Sequence, residues 1–228
     1  LKPLVGEPTA LASALFWGIN PMLNQNVVWI SGRPYLWGMM LVMIGMIYGQ
    51  NPFVFIPLYM LALITNISII FVPVLYLLSY PHLWQAKLYL AVMVWGGVPF
   101  MVWKFNQRFM KGLVIDRENF KLKGRKVFSL ARVMGYYLLS FFQPTKMGWY
   151  HQAGFRYNVK WEKFNYLTLI SMVAIAGLAV RGGLPGWWFL LGILPNSNLY
   201  ATNSFLQDRY LYFASVGIAV LIAPVLLE

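Results

Sequence analysis

Two arginines stand where a guanidinium could hold an anion. Arg33 closes the run Trp29-Ile30-Ser31-Gly32-Arg33 just before an apolar stretch, and Arg209 precedes Tyr210-Leu211-Tyr212 before another. At the mouth of a helix, a guanidinium can grip a phosphate through two parallel hydrogen bonds. The same placement also suits an arginine whose stem lies along apolar surface while its head reaches lipid headgroups. Lys146 lies in the polar, aromatic-rich stretch Gln143-Pro144-Thr145-Lys146-Met147-Gly148-Trp149-Tyr150-His151-Gln152. His151 is a candidate general base and equally an ordinary polar loop residue; His82, behind Pro81, is read as polar surface at a helix end. Asp208 is either an ion-pair partner that fixes Arg209 or a catalytic carboxylate. Asn20, Gln25 and Tyr210 supply hydrogen-bonding groups near the arginines in sequence. No metal-ligand spacing, glycine-rich phosphate loop, nucleophile elbow or Ser–His–Asp arrangement occurs in the sequence. There is no cysteine, which removes disulfides, thiolate nucleophiles and cysteine-based metal sites.

The elements that must position these residues are apolar. Hydrophobic residues make up 60% of the 228 positions and charged residues 11%, against about 25% charged in an ordinary soluble domain. Aromatic residues reach 18%, which suits anchoring at two membrane–water interfaces. This composition predicts an all-α, polytopic transmembrane bundle. About eight spans are expected, near 9–19, 35–48, 53–80, 88–103, 127–142, 166–180, 184–194 and 210–227. The first is short and is expected to begin earlier. The third contains Pro57 and Pro73, expected as kinks. The whole chain reads as one domain, and since it opens on Leu1 and stops after an apolar run at Glu228, it is expected to be a segment of a longer protein.

Charge sets the expected orientation. The loop 104–126 holds Lys104, Arg108, Lys111, Arg117, Lys121, Lys123, Arg125 and Lys126, opposed by Asp116 and Glu118, and such a loop belongs on the cytoplasmic side. Counting spans outward puts Lys2 and Arg181 on that side too. It puts the loops 20–34, 81–87, 143–165 and 196–209 on the other. The loop 143–165 keeps Lys146, Arg156, Lys160 and Lys163 against Glu162 on the translocated side, where basic residues are disfavoured unless they serve a purpose. A net charge of +12 would point to nucleic acid in a soluble protein. Here the charges fall between apolar runs, so membrane lipids or a phosphate-bearing lipid are the expected partners, and no nucleic acid.

Three motifs carry a resemblance. They are Leu15-Phe16 and Asn20-Pro21 with Val27-Val28-Trp29-Ile30-Ser31-Gly32-Arg33; Leu130-Ala131-Arg132-Val133-Met134-Gly135-Tyr136-Tyr137-Leu138 running into Gln143-Pro144; and Leu194-Pro195-Asn196-Ser197-Asn198 with Asp208-Arg209-Tyr210-Leu211-Tyr212 and Ser215-Val216-Gly217. In this order they resemble the membrane part of the TMTC-type O-mannosyltransferases and their bacterial relatives with tetratricopeptide repeats. Those belong to the GT-C superfamily of polyprenyl-phosphate-sugar glycosyltransferases. The resemblance implies transfer of a sugar from a polyprenyl-phosphate donor to a hydroxyl of a protein or glycan on the non-cytoplasmic face. It implies Arg33, Arg209 and Lys146 as cations for the donor phosphate, whose charge develops as it leaves, and Asn20, Gln25 and Tyr210 as polar motif positions. No cofactor is implied beyond the lipid-phosphate sugar itself. The implied location is an integral, multi-pass membrane protein, in a bacterial inner membrane ahead of the endoplasmic reticulum.

The departures from that pattern set the alternatives. The family commonly has His where this chain has Asn20 and Glu where it has Gln25, and its acidic catalytic loop lies upstream of the first helix here. A general base must accept the acceptor's proton. The residues present offer Asp208, Glu162 or His151. A catalytically degenerate relative acting as a structural subunit of a larger complex is therefore a second reading, and a lipid-linked-sugar transporter a third.

Overall fold

The fold is taken from a computed structural model, which describes residues 6–20, 23, 32–48, 51–66, 69–80, 126–142, 166–197 and 210–227. These residues form α1 (Glu7–Ile19), α2 (Arg33–Ile47), α3 (Pro52–Thr65), α4 (Val72–Ser79), α5 (Lys126–Phe142), α6 (Tyr166–Arg181), α7 (Gly183–Ile193) and α8 (Leu211–Leu227). A single 3₁₀ turn, Leu194–Asn196, follows α7, and no strand occurs among the described residues. The expected span 88–103, and the loop 104–126 up to Lys126, lie outside the described residues.

Local chemistry explains the helix starts. Proline occupies one of the first two helical positions of α1, α2, α3 and α4, where its missing N–H costs nothing and its fixed φ is already helical. Asn51 caps α3, its side chain accepting from the Phe53 N–H at 3.0 Å, as a good N-cap should. Glu7 sits in the first turn of α1 and Arg181 in the last turn of α6, each opposite in sign to the helix end it faces.

The helices correct the transmembrane expectation. Among the described residues no helix is long and apolar enough to cross a membrane. The longest, α5 and α8, have 17 residues. At about 1.5 Å per residue they reach roughly 25 Å, short of a hydrocarbon core of about 30 Å. The expected polytopic transmembrane bundle of GT-C type, and with it the integral multi-pass location, does not stand on these helices. The largest single difference is in 53–80. A continuous tilted span was expected there, yet α3 ends at Thr65, Asn66 turns to extended backbone, and α4 starts afresh. Pro57 lies inside α3. Pro73 opens α4 instead of kinking a longer helix, since its ring removes an amide donor and crowds the preceding turn.

Side-chain burial divides the core in two. Met39, Val42, Phe55, Tyr59, Leu75 and Tyr76 knit α2, α3 and α4 together, with Trp188 and Phe213 reaching in from α7 and α8. Val133, Tyr137, Phe141, Phe189, Ile193 and Ile218 join α5, α7 and α8. Helix α8 is buried from Leu211 through Val220 and packs on α1 and most extensively on α7. Close approach depends on glycine at the α7–α8 crossing. A Cβ on Gly192 would lie 2.9 Å from the Ala214 Cα, and one on Gly217 would lie 2.7 Å from the Phe189 N.

An aromatic stack ties α3 to α4. The Phe55 and Tyr76 rings lie 3.8 Å apart and nearly parallel, and Phe55 stacks on Tyr59 at 5.9 Å. The Tyr59 hydroxyl donates to the Ile70 carbonyl at 3.1 Å, and that of Tyr80 donates to the Met46 carbonyl. Burial raises the Tyr59 phenol, and pushes Tyr76 and Tyr212 up to about 12, with Tyr80 adding to the effect on Tyr76. Unfolded phenols ionise near 10. Between these values the folded chain holds more protons than the unfolded one, so stability is intact below pH 10 and falls as pH rises toward 12. Tyrosinate absorbance followed alongside helical ellipticity should show some tyrosines ionising only as helicity is lost. Ionisation of all 14 tyrosines near pH 10 with the helices intact would contradict this.

Candidate functional site

The antiparallel run of the helices gathers the described residues of the first and third motifs at one end. Trp17, near the end of α1, meets the start of α8: its indole N–H donates to the Ser215 Oγ at 2.9 Å, and its ring packs edge-on against Tyr212 at 4.9 Å. Ser215 in turn donates to the Tyr212 carbonyl at 2.8 Å. The end of α5 arrives at the same place, with Phe141 edge-on to Phe16 at 5.7 Å. The start of α2 does likewise through Tyr35, whose ring lies 6.2 Å from that of Tyr210. Where α3 ends, Thr65 and Asn66 back onto Gly38 of α2; a Cβ there would lie 3.0 Å from the Thr65 Oγ1. The turn after α7 brings in buried Asn196 and Ser197. The opposite end holds the start of α1 with Glu7, the end of α6 with Arg181, and the ends of α2 and α4.

Asn20 is the C-cap of α1 and is buried. Its Nδ2 donates to the Phe141 carbonyl at 3.1 Å. That carbonyl belongs to the last turn of α5, where the backbone has no partner within the helix. Asn20 therefore joins two helices by satisfying a helix end. Asn20→Ala should lower stability by about 2 kcal/mol, because a buried carbonyl is left without its donor. Chemical denaturation measures this, and an unchanged midpoint would remove the bridging role.

Arg33 is the first residue of α2, exposed, with Gly32 as an N-cap that offers no side chain. Its position is unusual in sign. A helix N-terminus carries partial positive charge, so a cation there is disfavoured by the helix itself. An anion arriving at this point would meet both the guanidinium and the positive end of the helix dipole. Among the described residues the one carboxylate, Glu7, lies at the other end of the bundle.

No family model, curated protein or solved structure matches the chain.

Of the residues expected at the site, Asn20, Arg33 and Tyr210 fall at this one end. Tyr210 is buried and directed at Tyr35. Gln25, Lys146, His151, Asp208 and Arg209 lie outside the described residues, as do His82 and Glu162. One part of the expected sidedness is corrected. Residue 81 was expected to leave on the side of Asn20, yet Tyr80 lies beside Met46 at the opposite end, because the break at Asn66 adds one reversal to the chain. Sequence reading did not anticipate the pairing of Tyr35 with Tyr210 or of Trp17 with Ser215. The Ser215-Val216-Gly217 motif was the available signal, since a Ser between apolar residues in a helix invites a search for its partner. Among the described residues no group of three potential metal ligands occurs.

Proposed function

We propose that the chain takes part in transfer of a sugar from a polyprenyl-phosphate donor to a hydroxyl of a protein or glycan, with Arg33 holding the donor phosphate. The observation that carries this reading is the exposed arginine at an uncapped helix N-terminus, at the end of the bundle where two further motif residues, Asn20 and Tyr210, are anchored. The chemistry asks for a fixed cation that faces the leaving phosphate and strengthens its hold as charge develops. Arg33 provides the cation, and the positive end of the α2 dipole adds to it. The resemblance of the Trp29–Arg33 and Asp208–Tyr212 segments to polyprenyl-phosphate-sugar enzymes points the same way, and makes Arg209 and Lys146 the companions of Arg33. The base that accepts the acceptor's proton remains among Asp208, Glu162 and His151.

The test uses the full polypeptide that carries this sequence, a polyprenyl-phosphate sugar labelled in the sugar, and a peptide rich in Ser and Thr. The expected result is label on the peptide, released by alkaline elimination. Donor that stays intact with every acceptor offered would overturn the reading. A specific observation supports the noncatalytic alternative: Asn20, where the family carries a titratable His, spends its carboxamide on the Phe141 carbonyl. A structural subunit would keep that bond and lack transfer activity.

A further inference from the structure

Helix α6 packs on α5 and α7 and turns two unlike faces to its surroundings. Thr168 and Ser171 are buried, and Ile175, Leu178 and Ala179 pack against the second core cluster. Tyr166, Leu169, Ile170, Val173, Ala176, Gly177 and Val180 are exposed. Their three- and four-residue spacing places these seven on one strip of the opposite face, about 21 Å long. The strip is graded by size around its middle residue, Val173. The large Leu169 and Ile170 precede Val173, and the small Ala176 and Gly177 follow it. A Cβ on Gly177 would meet nothing within 4 Å, so the gap at that position is open to the outside.

We infer that α6 pairs with α6 of a second copy of this chain, antiparallel, about a two-fold axis at Val173. Such an interface is self-complementary: each contact occurs twice. The size grading sets the direction. About this axis Ile170 faces Gly177 of the second copy on one side of the strip, and Leu169 faces its Ala176 on the other. Each large side chain therefore enters the gap left by a small one, as close helix packing requires. Val173 meets its own counterpart. Tyr166 comes beside Val180 and Arg181 of the second copy, where a guanidinium stands over an aromatic ring. A parallel pair would instead set Ile170 against Leu169, leave Ala176 beside Gly177, and bring two Arg181 side chains together. The exposed parts of the seven residues amount to on the order of 600 Å² per copy, so pairing hides about 1,200 Å², enough for a stable interface of small size. A patch of that extent is also at the upper limit of what monomers leave open. The outward lines of the other helices lack the grading. Trp37, Met40 and Ile47 on α2, and Phe53, Leu61 and Ile64 on α3, are large throughout, and α1 would set Leu11 against Ile19. Arg33 lies on a different helix, so the pairing goes beyond the sugar-transfer reading and needs none of it.

The chain has no cysteine, so a disulfide formed by a single introduced cysteine joins two copies. Oxidation of the full polypeptide carrying Val173→Cys should give a covalent dimer, because the two Cα atoms meet at the axis within disulfide reach. Ile170→Cys alone and Gly177→Cys alone should stay largely uncross-linked, since each lies about one helical turn from the axis. The variant carrying both should cross-link. Ile64→Cys on α3, equally exposed, is the control and should not. Sedimentation equilibrium should show the unmodified polypeptide as a dimer. Val173→Asp, which sets two carboxylates face to face, should weaken association at least about tenfold. Helical ellipticity should not change, because Val173 is exposed within one copy. Three results would overturn the inference. One is a monomer at every concentration. Another is Ile170→Cys cross-linking as readily as Val173→Cys, the mark of a parallel pair. The third is Val173→Cys cross-linking no better than Ile64→Cys, as when a lipid or another segment of the same chain covers the strip.

Discussion

Gly217→Ala should destabilise the fold by about 3 kcal/mol, while Gly177→Ala should stabilise it by about 0.5–1 kcal/mol. Both glycines lie within helices, where alanine is intrinsically favoured by up to roughly 1 kcal/mol. Their surroundings decide the sign. A Cβ on Gly217 would press into the Pro185 carbonyl oxygen, lie 2.7 Å from the Phe189 N and 3.1 Å from the Trp188 Cβ. The first two are backbone atoms of α7, so the clash is relieved only by parting α7 from α8. That separation would loosen Phe189, Ile193 and Leu211, all fully buried in the second core cluster. A Cβ on Gly177 would meet nothing within 4 Å. Thermal or denaturant unfolding of the two variants side by side checks the packing directly. A Gly217→Ala protein as stable as the parent would mean that α7 and α8 do not cross where described.

The second large effect concerns Arg33. Arg33→Gln should lower kcat/KM for sugar transfer by about 10²–10³-fold, the usual loss when one preorganised contact to developing charge is removed. Arg33→Lys should recover part of this loss, because an ammonium supplies charge without the two-pronged geometry. The same substitutions should leave stability unchanged or slightly raised. The side chain is exposed, and a cation at a helix N-terminus opposes the helix dipole. Activity and stability thus move independently. A variant that loses both together would mark Arg33 as a structural residue.

Much of the helical pattern was legible in the sequence, and the reasons are local. The run 210–227 contains no charge and coincides closely with α8. The expected segments 35–48 and 184–194 fall within two residues of α2 and α7 at each end. The break in 53–80 was not legible, because Thr65-Asn66 is a modest interruption in a strongly apolar run and Pro73 fits a kink as well as a start. The transmembrane expectation failed for a related reason. Hydropathy reports apolar length along the chain, whereas the helices stop at caps and turns such as Asn66 and Tyr48 before reaching a bilayer's thickness. Alternating helix directions put Asn20 and Arg33 at one end, but the extra reversal at Asn66 breaks the expected count before Tyr210, whose place there comes from the structure alone. Their contacts did not follow. Nothing in the residue order pairs Asn20 with the Phe141 carbonyl, 121 positions away, since that bond depends on where α5 happens to end.

The most direct measurement compares two arginines at the two ends of the bundle. Arg33 opens α2 beside the motif residues, and Arg181 closes α6 at the far end; both are exposed. Sugar transfer from a polyprenyl-phosphate donor should fall at least about 100-fold in Arg33→Gln and stay within about twofold in Arg181→Gln, as expected for a surface charge remote from the reaction. Equal losses in the two variants, or full activity in Arg33→Gln, would contradict a phosphate site at the start of α2.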